Sequence, residues 1–196
     1  MRPLYATEPL AAALFWLLYV AWFAFEVGNT WRLRRPPGAV SKDRGSKVAL
    51  IAGVYVGVFA GFAFAFGTPG AAITWQRHTL FYIGLFLLVG GILLRAYATR
   101  TLGQSFTLDV TTRPDQVVID SGPYRWIRHP AYAGSLLTVL GILLCATNWL
   151  TLACLAPVLV GYGYRIAIEE SALAHDIGQP YREYVRRTKR LIPFVL

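Results

Sequence analysis

The chain is organised around the stretch GPYRWIRHPAYAG, residues 122–134, which runs straight into an apolar segment that begins at Tyr132. Basic side chains, a histidine and aromatic rings crowd the entrance to this segment. A cationic and aromatic edge on an apolar helix can hold an anionic ligand that carries a ring system. The composition and the order of the remaining segments decide whether this edge is such a site.

The composition is that of an integral membrane protein. Of the 196 residues, 56% are hydrophobic and the mean hydropathy is +0.47, whereas soluble domains contain about 45–50% apolar residues. Both cysteines lie within apolar runs, so the sequence predicts no disulfide framework and no metal site. The length predicts one integral membrane domain, residues 1–196, in which a three-helix part (1–95) precedes the part that carries the candidate site (96–196).

Five apolar segments predict an all-α membrane protein with five transmembrane helices. They are Pro9–Phe25, Val48–Phe66, Leu80–Leu94, Tyr132–Ala146 and Leu150–Ile168. A spanning helix needs about 20 residues, so the third and fourth segments must borrow flanking residues. Only Thr147-Asn148-Trp149 separates the last two segments, which predicts a tight turn and a helical hairpin. Residues 171–185 are amphipathic with a break at Gly178-Gln179-Pro180, which predicts a cytoplasmic amphipathic helix that caps the bundle.

The basic residues predict the orientation of these helices. With five spans, 17 of the 19 Lys and Arg residues fall on one side of the membrane, which leaves Arg2 and Arg77 for the other. The positive-inside rule then places the N-terminus outside and the C-terminus and the candidate site in the cytoplasm, with a bacterial inner membrane as the expected location. The net charge of +9 therefore indicates topology and contact with membrane lipids. It does not indicate nucleic-acid binding, because no basic stripe is interleaved with stacking rings.

The second segment carries a ridge of small residues at Gly53, Gly57 and Gly61. Residues at this spacing share one helical face and let two backbones approach closely in lipid. Two interpretations remain open. The ridge packs against another helix of the same chain, which is the commoner use, or it forms the seam of a homodimer.

The fifth segment ends in two adjacent acids, Glu169 and Glu170. Acids at the end of an apolar helix are costly unless they are paired or functional. Arg165 precedes Glu169 by one helical turn, which predicts a local ion pair. In an antiparallel hairpin these acids and the stretch His129–Tyr132 reach the same membrane face. Such a site offers cations for a carboxylate, acids for an ammonium group or ribose hydroxyls, and aromatic faces for a purine or a sulfonium.

These residues also carry a family resemblance. The pattern Arg128-His129-Pro130-x-Tyr132-x-Gly134, followed by a hairpin and then Glu169-Glu170, resembles the C-terminal signature of the isoprenylcysteine carboxyl methyltransferase family, which phospholipid N-methyltransferases share. Further matching positions are Leu102-Gly103-x-x-Phe106 before the motif and Gly178, Tyr181, Tyr184 and Ile192-Pro193 after the acids. The resemblance covers about half of the chain, from Leu102 to Phe194. Pro180 departs from the family pattern, in which an acidic residue is common.

The resemblance implies a methyltransferase that uses S-adenosylmethionine, held between the hairpin and the C-terminal segments. By motif position, the residues that would line the cofactor pocket are Tyr124, His129, Tyr132 and Glu169. Arg128 and Glu170 would support this pocket or face the methyl acceptor. A Rossmann-type glycine motif is not expected for such a site.

The methyl acceptor stays open between oxygen, sulfur and nitrogen, although the short chain favours a small lipophilic molecule or a lipid. An anionic acceptor would be steered by an arginine, for which the candidates are Arg128, Arg165 and Arg182. A neutral amine would need a base, for which the candidates are Glu170 and His175. Whether Glu169 pairs with Arg165 or contacts the cofactor also stays open.

Two rival functions remain. Membrane sterol reductases, which use NADPH, have a similar fold but more spans and a larger chain. A non-catalytic accessory subunit of a membrane assembly would have no affinity for a cofactor. Binding of S-adenosylhomocysteine separates the methyltransferase from both rivals.

Overall fold

The computed structural model of the protein describes residues 1–32, 40–103, 111–112 and 118–193. Within these ranges the chain forms α-helices and one pair of two-residue strands. The helices are α1 (Pro9–Arg32), α2 (Ser46–Gly67), α3 (Arg77–Leu102), α4 (Pro130–Cys145), α5 (Trp149–Ala153), α6 (Leu155–Asp176) and α7 (Gln179–Arg187). The strands, β1 (Val40–Ser41) and β2 (Thr111–Thr112), pair antiparallel.

Four helical stretches are long and apolar enough to cross a membrane. They are Pro9–Asn29, Ser46–Gly67, Arg77–Leu102 and Trp149–Asp176, of which the last combines α5 and α6. Helix α4 is apolar but has only 16 residues, which is about 24 Å of helix against a hydrocarbon core of about 30 Å. The predicted helical membrane fold is confirmed. Among the described residues, the five predicted spans are four long stretches and one shorter apolar helix.

The fifth predicted segment, Leu150–Ile168, is not one continuous helix. Helix α5 ends at Ala153 and α6 begins at Leu155, with Cys154 between them. Pro157 lies in the first turn of α6. A proline has no backbone N–H, and in a continuous helix its ring collides with the carbonyl group four residues earlier, which here belongs to Ala153. Pro157 therefore accounts for the break.

Helices α3 and α4 pack against each other extensively through glycines on both helices. A Cβ atom on Gly91 would lie 2.5 Å from the carbonyl oxygen of Gly134, and one on Gly141 would lie 2.5 Å from that of Gly84. No side chain tolerates such distances, so the two backbones are in direct contact. The glycines recur every seven residues on each helix, a repeat that the sequence analysis did not single out.

The glycine ridge of α2 packs within the chain. A Cβ atom on Gly53 would lie 2.6 Å from the carbonyl oxygen of Pro157, and one on Gly57 would lie 2.7 Å from that of Cys154. Gly61 meets the side chain of Leu143 on α4. All three glycines are buried. This corrects the homodimer interpretation of the ridge, because the face that would form the seam is already covered by α6 and α4.

The predicted hairpin exists as a connection but not as the main packing unit. Residues 146–148 join α4 to α5, and the side chain of Asn148 caps α5 by accepting from the backbone N–H of Leu150 at 2.9 Å. Helix α4 nevertheless packs most extensively along α3, and α6 along α2. The close glycine contacts favour these two antiparallel pairs over direct packing of α4 on α6.

The bundle has two distinct ends. At one end the N-terminal amine of Met1 donates to the carbonyl oxygen of Pro69 at 2.8 Å, and Arg77 donates to the carbonyl oxygen of Arg2. The two basic residues predicted for the outer side therefore lie together. The start of α4 and the end of α6 lie at the opposite end, so the N-terminus and the candidate site are at opposite ends of the bundle.

Gly91→Ala should destabilise the protein, because its methyl group would meet the backbone of α4. Overpacking of this kind costs about 1–3 kcal/mol, which we expect as a lower midpoint of thermal unfolding in detergent. The matched control is Gly90→Ala, because a Cβ atom at this neighbouring position meets nothing within 4 Å. The control should leave stability unchanged or raise it, since alanine is the better helix former. Equal midpoints for the two variants would contradict the close approach of α3 and α4.

Candidate active site

The carboxylate of Glu170 is held by two arginines and a histidine that approach it from both sides. Arg128 Nε donates to its Oε1 at 2.9 Å, and His129 Nε2 lies 3.3 Å from the same oxygen. Arg190 Nη2 donates to Oε2 at 2.8 Å. The side chains of Arg128 and His129 are buried, while that of Arg190 is exposed. Glu170 therefore links the start of α4 to the tail of the chain.

Backbone hydrogen bonds complete the attachment of the tail. The N–H of Arg128 donates to the carbonyl oxygen of Lys189 at 2.7 Å, and that of His129 donates to the carbonyl oxygen of Arg190 at 3.0 Å. In the opposite direction, the N–H of Lys189 donates to the carbonyl oxygen of Trp126 at 3.2 Å. The tail lies beside the motif as a short strand-like segment, so α7 is anchored over this end of the bundle.

Glu169 points to a different partner from Glu170. Its Oε2 accepts from the hydroxyl of Tyr132 at 2.6 Å. The ring of His129 stacks on that of Tyr132, with centroids 5.4 Å apart and planes 10° from parallel. Successive side chains on a helix point about 100° apart. Glu169 therefore contacts Tyr132, while Glu170 contacts Arg128. The sequence prediction that the motif and the acids meet at one face agrees with this geometry.

Arg165 has a carboxylate partner that the sequence analysis missed. Its Nη1 donates to the carboxylate of Asp43 and to the hydroxyl of Ser46, the latter at 3.0 Å. Its Nε donates to the hydroxyl of Tyr132 at 3.1 Å. The ion pair with Glu169 was predicted only from the spacing of the two residues on one helix. Asp43 is 122 positions away, and its loop is basic overall, so no local signal pointed to it.

Tyr124 is buried beside the same cluster. Its carbonyl oxygen accepts from the hydroxyl of Tyr184 at 2.7 Å, which ties it to α7. Burial raises the pKa of the Tyr124 hydroxyl, and the Glu169 carboxylate raises it further. The phenol is therefore neutral and remains a proton donor near Glu169.

Tyr181 is a second residue that the sequence analysis underrated. Its side chain is buried, and the described part of the chain offers its hydroxyl no hydrogen-bond partner. Burial raises the pKa of this hydroxyl, with further contributions from the carboxylates of Glu170 and Glu169. A buried donor without a partner is costly, so a ligand that accepts from Tyr181 would relieve this cost.

Other candidates lie away from the cluster. The side chain of His175 is 81% exposed and contacts Asp176 at 2.6 Å. Arg182 is exposed on α7. Among residues 1–32, 40–103, 111–112 and 118–193, no group of three or more His, Cys, Asp and Glu side chains is arranged to hold a metal. Phe106, part of the predicted pre-motif pattern, lies outside the described residues.

Comparison with known proteins bears on this geometry. The sequence profile of the isoprenylcysteine carboxyl methyltransferase (ICMT) family matches residues 82–175, a range that contains the RHPxYxG motif and both acids. The chain is 32% identical to a probable protein-S-isoprenylcysteine O-methyltransferase of Oryza sativa subsp. indica over 117 residues. It is 30% identical to the protein-S-isoprenylcysteine O-methyltransferase of Homo sapiens over 135 residues.

The chain is similar to the ICMT family over residues 82–175.

A solved structure extends this similarity to the fold. The chain resembles that of the eukaryotic intramembrane Ras methyltransferase ICMT, with a TM-score of 0.55 and 30% identity, over 76% of this chain and 52% of the other. The alignments cover 58% of this chain and 61% of the rice relative, and 63% of this chain and 43% of the human relative. The chain thus spans about half of the solved structure and less than two thirds of these relatives. The similarity to this membrane-enzyme fold and the four long apolar stretches identify the chain as an integral membrane protein.

The family match separates the site into two groups of residues. Arg128, His129, Tyr132 and both acids lie within the matched range and contact one another there, while further contacts come from outside it. Asp43 and Ser46 accept from Arg165, the carbonyl oxygen of Thr188 accepts from Arg128, and Arg190 donates to Glu170. The family motif therefore depends on both the N-terminal half and the tail.

Glu170→Gln should loosen the tail. It removes the charge that Arg128 and Arg190 share, and each charge-assisted hydrogen bond contributes about 1.5–3 kcal/mol. We expect amide hydrogen exchange in residues 179–190 to accelerate about tenfold or more. Glu169→Gln is the matched control, since it makes the same change one residue earlier but its partner is Tyr132 rather than the tail. Equal acceleration in both variants would show that Glu170 is not the anchor.

Proposed function

We propose that the chain is a membrane methyltransferase that uses S-adenosylmethionine and methylates a lipophilic acceptor. The observation that carries the proposal is the convergence of Tyr132 on α4 with Glu169 on α6, at 2.6 Å, beside the stacked ring of His129. These residues belong to the motif by which the chain resembles the ICMT family. The names of the curated relatives, which are protein-S-isoprenylcysteine O-methyltransferases, support the same reaction class.

The donor set at this end of the bundle fits S-adenosylmethionine. Glu169 offers a carboxylate to the ammonium group or the ribose hydroxyls, and the rings of His129 and Tyr132 offer aromatic faces to the purine or the sulfonium. The hydroxyl of Tyr181 is a buried donor that the described residues leave without a partner. When bound, the cofactor supplies an activated methyl group whose sulfur is its own leaving group. We propose that Tyr124, His129, Tyr132 and Glu169 line its pocket.

The remaining motif residues are proposed to orient this pocket and the acceptor. Arg128 and Glu170 hold the tail against α4, which shields the reacting groups from water. Arg165 holds the Tyr132 hydroxyl, and through it the carboxylate of Glu169. Catalysis then depends mainly on alignment of the acceptor with the methyl group.

The ion pairs of Glu170 favour one class of acceptor. A base must accept a proton, whereas Glu170 is contacted by Arg128 and Arg190, which stabilise its charged form and make it a weak base. A neutral amine acceptor would need such a base. A carboxylate needs none, because it is already deprotonated near neutral pH, whereas a thiol would first have to lose a proton. We therefore propose an anionic lipophilic acceptor, and a prenylated thioether carboxylate fits best.

The distribution of the basic residues predicts which side of the membrane the site faces. We propose that the end of the bundle with the motif faces the cytoplasm and that the N-terminus lies outside, in a bacterial inner membrane, because the basic residues gather at the motif end. We also propose that residues 96–196 hold the cofactor and that residues 1–95 support them. Neither the sterol-reductase nor the accessory-subunit alternative is favoured by a contact among the described residues.

Binding of S-adenosylhomocysteine to the purified protein in detergent tests the pocket. Tyr132→Phe and Glu169→Gln should each weaken binding about tenfold or more, because each breaks a buried hydrogen bond that orients the pocket. Tyr82→Phe and Glu8→Gln provide matched controls, since both residues lie near the opposite end of the bundle. Isothermal titration calorimetry measures the affinities. Absence of binding to the wild-type protein at micromolar concentration would refute the methyltransferase assignment.

Methyl transfer identifies the acceptor class. Purified protein is incubated with S-adenosylmethionine labelled in the methyl group and with prenylated thioether acids, lipophilic thiols or phosphatidylethanolamine. We expect label in the prenylated acids as a base-labile ester. Label in phosphatidylethanolamine alone would contradict an anionic acceptor.

A further inference from the structure

Arg165 is a buried cation on α6, one helical turn before Glu169. An arginine at this spacing is an ordinary ion-pair partner for a glutamate on the same helical face. A direct pair would occupy the Glu169 carboxylate and cancel its charge. The proposed pocket needs that charge, because S-adenosylmethionine carries a positive sulfonium and a positive ammonium group.

Asp43 supplies the charge that balances Arg165 instead. Arg165 Nη1 donates to the Asp43 carboxylate, and the two side chains are 3% and 14% exposed. Asp43 is itself held in place. Its Oδ1 accepts from the hydroxyl of Ser46 at 3.0 Å and its Oδ2 accepts from the backbone N–H of Lys47 at 3.1 Å, both in the first turn of α2. A carboxylate at this end of a helix is also stabilised by the helix dipole.

A continuous line of hydrogen bonds leads from Asp43 to the pocket. Arg165 Nε donates to the hydroxyl of Tyr132 at 3.1 Å, and this hydroxyl donates to Glu169 Oε2 at 2.6 Å. Glu169 thereby meets a neutral hydroxyl, while the guanidinium charge is paired with Asp43. The line runs from Asp43, just before α2, to Arg165 on α6, then to Tyr132 on α4 and back to Glu169 on α6. It therefore joins parts of the chain that are far apart in sequence.

We infer, on the basis of the proposed methyltransferase function, that Asp43 is a positioning residue that prevents the Arg165 charge from offsetting the Glu169 carboxylate, so that the pocket presents net negative charge to the cationic cofactor. It does so by holding and neutralising Arg165. Asp43 lies outside residues 82–175, the range that the family profile matches. The N-terminal part of the chain therefore sets the electrostatic potential of the pocket.

A second ion pair in the same segment allows a test that separates charge from mere attachment. Lys42 Nζ contacts Asp176 Oδ1 at 2.5 Å, which also ties this segment to α6. Asp176 is seven residues beyond Glu169. Loss of the Lys42–Asp176 pair loosens the segment without removing the carboxylate that faces Arg165.

The experiment compares two ligands that differ in one charge. S-adenosylmethionine has a sulfonium, whereas S-adenosylhomocysteine has a neutral thioether. In the full chain in detergent, Asp43→Asn should weaken the binding of S-adenosylmethionine about tenfold. It should weaken the binding of S-adenosylhomocysteine no more than about threefold. Asp43→Glu keeps the charge and should restore most of the preference. Asp176→Asn should leave the ratio of the two affinities at the wild-type value.

Each outcome of the titrations decides the matter. If Asp43→Asn weakens the binding of both ligands equally, the charge role of Asp43 is overturned. The charge role is also overturned if Asp176→Asn changes the ratio of the two affinities as much as Asp43→Asn does. If Asp43→Asn does not fold, Arg165→Gln probes the same charge: the affinity ratio should then rise in favour of S-adenosylmethionine, and an unchanged ratio overturns the role. A wild-type protein that binds neither ligand refutes the proposed function and with it the role of Asp43.

Discussion

Glu170 joins three parts of the chain, and the arrangement of the site depends on that junction. Its carboxylate accepts from Arg128 and His129 before α4 and from Arg190 in the tail. A partly buried carboxylate is costly unless it is paired, and here several donors offset the cost together. Because α7 ends at Arg187, three residues before Arg190, the same contacts hold α7 over the end of the bundle. They also leave the neighbouring Glu169 facing Tyr132.

The backbone contacts of α3 and α4 give this junction a rigid base. In lipid, helices gain little from hydrophobic burial against each other, so close van der Waals packing matters more. Glycines at positions 84, 91, 134 and 141 allow that packing over the length of the short helix α4. Arg95 on α3 adds a polar contact, since its Nη1 donates to the carbonyl oxygen of Ala131 at 3.2 Å. The motif at the start of α4 is thus held in place by α3.

The N-terminal half contributes charge as well as support. Glu26 on α1 pairs with the buried Arg95, with 2.8 Å between Oε2 and Nη2, and Asp43 pairs with the buried Arg165. Both cations lie close to the motif, and both find their carboxylates in the part of the chain before residue 82. A division at residue 95 therefore describes the order of the helices, but it does not divide the chain into electrostatically independent parts. The carboxylates that balance the cations near the site lie before residue 95.

The sequence alone determined the membrane class, the helical fold and the residues of the motif. Apolar runs report helices in lipid because no other local structure satisfies the backbone there, and the spacing of Arg128, His129 and Tyr132 relative to the acids is a linear pattern. Only the tertiary structure decided the partners: Arg165 pairs with Asp43, and the ridge at Gly53 faces α6. It also buried the hydroxyl of Tyr181 without a hydrogen-bond partner among the described residues. Those pairings depend on which helix faces lie together. Hydrophobic periodicity did not determine them, because in lipid both faces of a helix are apolar.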